Sequence, residues 1–126
     1  MPLPVILDTD IGFDIDDVWA LAFLLTCPEL DVKLITTNTG DTEYSAALVG
    51  KLLEVSGRTD IPIGIGIPID AVGRTHSVWL GSYRVTDYRG MIHVDGVGAI
   101  AETIKAAEDP VTIICIGPLS NLSLIH

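Results

Sequence analysis

The stretch VILDTDIGFDIDDVWALAFLL, Val5 to Leu25, decides how this chain folds. Val5-Ile6-Leu7 is an apolar run of the kind that ends a buried strand. Five aspartates follow within ten positions: Asp8, Asp10, Asp14, Asp16 and Asp17. Val18 to Leu25 is apolar again, enough for about two helical turns. A strand, an acidic loop and a helix in that order place the carboxylates at the carboxyl end of a strand. Open α/β sheets bind their ligands there.

Carboxylates do not crowd without a reason. Two like charges ~4 Å apart repel by ~4 kcal/mol at an effective dielectric of about 20. A whole domain is stable by only ~5–15 kcal/mol. The acids must therefore point apart into water, take up protons or share a cation. Helix capping by Asp14 or Asp16 in a solvated loop accounts for one or two of them, not five. A shared cation accounts for the rest. With oxygen donors and no paired His or Cys nearby, the metal expected is a hard one.

The bulk properties bound the answer. A chain of 126 residues is a single domain, residues 1–126. Apolar residues make up 48% and mean hydropathy is +0.49, so the strands should be buried on both faces, as in a parallel sheet. A net charge of −10 argues against nucleic-acid and acidic-membrane partners. No signal peptide or membrane-spanning run is visible, and a cytoplasmic location is expected. Cys27 and Cys115 sit in apolar surroundings without metal spacing and read as buried free thiols.

Around the opening unit the pattern alternates. Strands are predicted over Leu3–Leu7, Asp31–Thr37, Ile61–Ile65 and Val111–Ile116. Helices are predicted over Asp16–Thr26, Thr42–Ser56 and Gly96–Ala107, with another starting at Leu119–His126. Pro28 ends the first helix and Gly57 the second. The fold class expected is α/β, an open, mostly parallel sheet with helices on both faces. Ile67 to Met91 shows no sustained period and reads as a lid or a surface excursion. Its Trp79, Tyr83 and Tyr88 either stack on a ligand or form the excursion's own small core, the second being favoured.

DTDIGFDIDD closely resembles the N-terminal signature of the nucleoside hydrolases, the inosine-uridine-preferring N-ribohydrolase family. The commoner form is DTDPGIDD, and this chain has two extra residues before the closing Asp-Asp. ITTNTGD at Ile35–Asp41, HVDGVG at His93–Gly98 and IGPLSNL at Ile116–Leu122 match in order. The resemblance implies a Rossmann-like fold and hydrolysis of the N-glycosidic bond of a ribonucleoside to base and ribose. It implies calcium as cofactor, held by Asp10, Asp17 and the backbone carbonyl of Ile116, with Asp8 in support. Asp10 would be the general base, activating a calcium-bound water. Asp16, with Asn38 and Asp41, would bind the substrate; Asp41 stands where the family has Asn and can only accept. Asp14, in the insertion, would cap or support the cation from behind. Asn121 would cap or brace the turn into the last helix. Family members are considerably longer and supply a further His-Asp pair, so the sheet is expected to be truncated after about four strands, with an uncovered apolar edge and a homo-oligomer as a consequence.

Three alternatives stay open. The chain could bind calcium or oligomerise without turnover, since nothing in it stands for the His-Asp pair. His93 reads as a loop-ordering residue, with a substitute acid as its rival role; His76 and His126 carry no motif. A haloacid-dehalogenase-type phosphatase would use Asp8 as nucleophile and Asp10 as acid/base, but Gly12 stands where that pattern expects Thr or Val. An EF-hand fails on spacing, with Phe13 where the loop needs Gly and Trp19 where it needs Glu.

Overall fold

The computed structural model describes residues 1–70 and 75–125. β1 (Leu3–Thr9), β2 (Leu30–Thr37), β3 (Ile63–Gly64), β4 (Ile92–His93) and β5 (Thr112–Cys115) form one sheet in the order β4-β3-β2-β1-β5, with every pair parallel. The helices are α1 (Asp16–Leu25), α2 (Thr42–Val55), the single turn α3 (Ser77–Leu80) and α4 (Gly96–Ala106). This is the α/β sheet expected, with one strand more. β4 is two residues long, too short to show a period, and joins because Met91 and His93 offer carbonyls to the N–H groups of Ile63 and Ile65.

β1 lies inside the sheet and is covered on both faces. Val5 and Leu7 pack with Leu21 and Leu24 of α1 and Ala46, Val49 and Leu53 of α2. Ile6 turns the other way, to Leu34, Ala99 and Ile100. Each buried Val, Leu or Ile among them stabilises the fold by ~1.5–3 kcal/mol. β2 slips its register against β1 between Val5 and Ile6, where Lys33 is passed over. The slip keeps Val32 and Ile35 on one face and Leu34 on the other, in phase with β1.

α2 stops as its sequence predicts. Gly57, at φ 69°, donates to the Glu54 carbonyl, and Arg58 donates to that of Leu53. This paired closure needs a residue comfortable in the left-handed region. The first helix stop also holds: Thr26 caps α1 two residues before Pro28.

The 67–91 excursion is folded back on α2. The Tyr88 hydroxyl donates to the Ile61 carbonyl at 2.6 Å, and that of Tyr83 to Glu54 Oε1 at 3.1 Å. Gly50 leaves room for both: a Cβ there would come 3.3 Å from the Tyr83 hydroxyl and from Tyr88 Cβ. Lys51 Nζ sits 4.7 Å from the centre of the Trp79 ring. The aromatics thus pack onto α2 and the main core, rather than forming a small core of the excursion's own. Gly73 of this stretch and His126 lie outside the described residues. At the chain's end a 3₁₀ turn, Leu122–Leu124, takes the place of the expected α-helical start.

β5 is an edge strand. Leu7, Phe23, Leu24, Cys27, Ile114 and Ile116 line an apolar groove of about 240 Å³ beside it. Trp19 and Phe23 on α1 are 67% and 72% exposed. Cys27 and Cys115 are free and half-buried. No described helix is long and apolar enough to cross a membrane.

Candidate active site at the carboxyl end of the sheet

The acidic loop between β1 and α1 is strapped on every side. Ile11 is fully buried beneath it. The Ile11 N–H donates to Thr9 Oγ1 at 3.1 Å, and Ser45 Oγ donates to the Ile11 carbonyl at 2.6 Å. Thr75 gives its N–H to the Gly12 carbonyl and its hydroxyl to that of Phe13. Gly12 holds φ 116°, which side-chain-bearing residues rarely adopt. A solvated loop would show none of this.

Asp8 points inward and is 1% exposed. Its Oδ1 accepts from Thr36 Oγ1 at 2.6 Å and from Asn121 Nδ2 at 2.9 Å; its Oδ2 accepts from Asn38 Nδ2 at 2.7 Å. A buried carboxylate with three donors is paired inside the protein. Asp8 thereby anchors the ends of β1 and β2, and so enclosed it is no nucleophile for the phosphatase alternative.

Asp10 and Asp17 are brought together. Asp17 is 6% exposed and takes a hydrogen bond from Thr9 Oγ1 at 2.8 Å. Burial, then hydrogen-bonding contact with the carboxyl of Asp10, pushes its pKa up to about 7; Thr9 pulls the other way, and the charges of Asp10 and Asp16 add to the rise. The Ile116–Gly117 peptide lies alongside. A Cβ on Gly117 would come 3.0 Å from Asp10 Cγ and 2.7 Å from Asn38 Oδ1. Among the described residues no group of three or more His, Cys, Asp or Glu side chains converges as a metal cluster. The carboxyls in contact with each other are those of Asp10 and Asp17.

The remaining candidates spread around this pair. Asp16 is exposed at the first turn of α1. Asp14 is exposed and caps nothing: Ile15 holds the N-cap position with helical φ and ψ, and no side chain bonds there. Asn38 is buried and spends one amide hydrogen on Asp8, while its Oδ1 accepts from Thr39 Oγ1 at 3.0 Å. Asp41 is the N-cap of α2, accepting from the Tyr44 N–H at 3.0 Å. His93 lies on β4, three strand spacings from β1, or roughly 14 Å. Its motif serves helix docking: Asp95 caps α4 by accepting from the Gly98 N–H, and Gly96 lies against the Ile65 carbonyl. Sequence reading missed the reach of Asn121, whose amide belongs to Asp8 rather than to its own turn.

The chain matches the family described as inosine-uridine preferring nucleoside hydrolase over residues 5–126. It is 32% identical over 142 aligned residues to the pyrimidine-specific ribonucleoside hydrolase RihA of Escherichia coli O1:K1 / APEC. It is 33% identical over 134 residues to the non-specific ribonucleoside hydrolase RihC of the same strain. Each alignment takes in 99% of this chain and 43% of the relative, so the chain spans less than half the length of these relatives. Among solved structures it superposes on a plant nucleoside hydrolase, PpNRh1, with a TM-score of 0.73 at 29% identity. It also superposes on an inosine-guanosine nucleoside hydrolase with a TM-score of 0.78 at 23% identity, a likeness of fold. Both superpositions cover 99% of this chain and 42% of the other.

Proposed function

This chain belongs to the inosine-uridine preferring nucleoside hydrolase family, and from that premise we propose that it carries the ribose-binding, water-activating part of a site that hydrolyses the N-glycosidic bond of a ribonucleoside. One observation carries the reading: Asp10, just past β1, and the buried Asp17 of α1 are brought side by side, next to the Ile116–Gly117 peptide. Two acids held together there fit a site that a cation completes.

The donors present fit a hard cation in part. Two carboxylates and a neighbouring main-chain carbonyl are a portion of the roughly 6–8 oxygens that calcium takes. Asp10, Asp17 and the Ile116 carbonyl would hold it. When bound, calcium would supply Lewis acidity to a water and to vicinal ribose hydroxyls. Asp10 is half-buried, and a water against its carboxylate would be the nucleophile. It accepts that water's proton as the oxygen attacks the anomeric carbon. The C–N bond breaks as the sugar gains oxocarbenium character, and its electron pair leaves with the base. Asp16, exposed at the rim, accepts a hydrogen bond from a ribose hydroxyl. Asp41 borders the sugar while capping α2, and the buried Asn38 holds Asp8 behind the site.

A second reading is cation binding without turnover: His93, the imidazole of the HVDGVG motif, lies on β4, three strands away from β1. Ribose release from purine and pyrimidine nucleosides separates the two, measured with calcium and with chelator beside Asp10→Asn. Calcium-dependent release that the substitution abolishes supports hydrolysis. A folded chain that binds calcium and releases nothing supports the second reading.

A further inference from the structure

We infer that Asn121 is a positioning residue for the Asp10–Asp17 site, acting through the turn at residues 117–121. The inference rests on the cation reading above and deepens it. Asn121 is fully buried, and no bond of its side chain goes to its own 3₁₀ turn. Nδ2 donates to Asp8 Oδ1 and to the Thr37 carbonyl, each at 2.9 Å, and Oδ1 accepts from the Ile67 N–H at 3.1 Å. One amide therefore ties together the end of β1, the end of β2 and the segment after β3. Gly66 lies so close to this amide and to the Thr37 carbonyl that no side chain fits there.

The same amide fixes what precedes it. Ile116 gives its N–H to the Asp8 carbonyl at 2.9 Å, and Gly117 then runs against Asp10 and Asn38. Beyond Gly117 the turn is exposed at Pro118 and Leu119. Asn121 is the first fully buried residue after it and holds its far end. With both ends fixed, the Ile116–Gly117 peptide has one place beside Asp10. Without Asn121 the near end alone would hold it, and the peptide would lose its fixed place beside Asp10.

Calcium titration of the whole chain by calorimetry tests this, with melting followed by circular dichroism. Asn121→Ala is compared with Thr36→Val, which removes another buried donor to the same Asp8 oxygen but leaves the 117–121 turn tethered. The expected result is a tenfold or greater loss of calcium affinity in Asn121→Ala, with Thr36→Val within about twofold of the parent at a comparable drop in melting temperature. Should Asn121→Ala not fold, Asn121→Ser, which keeps one donor, is read in the same way. Parent-like affinity in the Asn121 variants, or equal losses in both positions, would mean that Asn121 is only structural. If the parent chain binds no calcium, the cation reading itself fails and this assignment with it; parent binding with an unaffected Asn121 variant defeats the assignment alone.

Discussion

Asp17 Oδ2 takes the Thr9 hydroxyl at 2.8 Å while the carboxyl of Asp10 stands against the same side chain. The contact joins the loop after β1 to the first turn of α1. It makes Asp17 a weak acid, chiefly because burial disfavours its charge and because a second carboxyl stands against it. The pH behaviour of the fold follows from this pair.

Without a cation, folding favours protonated Asp17. Its pKa is about 7 folded and near 3.8 as an ordinary side chain. Between those values the folded chain binds more protons than the unfolded one, so stability falls as pH rises from about 4 to 7 and then levels off. The loss should amount to a few kcal/mol. Melting in chelator across that range checks it, and Asp17→Asn should flatten the profile.

Cation binding should show the converse. A bound cation needs Asp17 ionised, so binding below pH 7 releases a proton. Calcium affinity should be roughly tenfold weaker at pH 6 than at pH 8, since one proton of pKa about 7 is displaced. Calorimetry in two buffers of different ionisation enthalpy would count that proton. A pH-independent affinity would take Asp17 out of the ligand set.

Asp10→Asn keeps the shape of the side chain and removes the base. If ribose release is measurable, it should drop by roughly 100-fold or more, the usual weight of a general base. Above pH 7, where Asp17 is ionised, the metal-free fold should become more stable because Asp17 loses a like charge. Release assays and melts on the same preparation read both effects.

Gly117→Ala should cost about 1–3 kcal/mol, as overpacking does. The new methyl would stand 2.7 Å from Asn38 Oδ1 and 3.0 Å from Asp10 Cγ. Asn38 cannot retreat while its amide is bonded to Asp8 at 2.7 Å. Urea unfolding measures the cost, and a neutral result would mean that the turn moves freely.

Asp41→Ala should lose roughly 0.5–2 kcal/mol through the uncapped first turn of α2, while Asp41→Asn should lose much less. Urea unfolding separates them. If both substitutions are silent in stability, the cap is not what holds Asp41 in place.

How far the sequence reached depends on distance along the chain. Strand, loop and helix from Leu3 to Leu25 were legible because apolar runs and their periods are local signals. The Schellman-type stop at Gly57 was legible because a single residue type suits it. β4 was not, since Ile92–His93 is a strand only by virtue of the β3 edge beside it. The capping role expected for Asp14 failed for a similar reason. The straps from Ser45 and Thr75 set the loop's path, and helical geometry already begins at Ile15.

By itself, then, the sequence determined the α/β alternation, the place of the acidic loop and the family to which its motifs belong, all of which are encoded in short runs of residues. Tertiary structure alone decided what each aspartate does. Asp8 and Asp10 stand two residues apart with the same chemistry, yet one faces Asn121 across 113 positions of chain and the other faces Asp17 and Gly117. Asp8 lies within β1 whereas Asp10 lies just past its end at Thr9, so the pleat that would put both on one face no longer governs the second, and whether a carboxylate becomes an anchor or a reactive group depends on which donors and charges the folded chain brings to it.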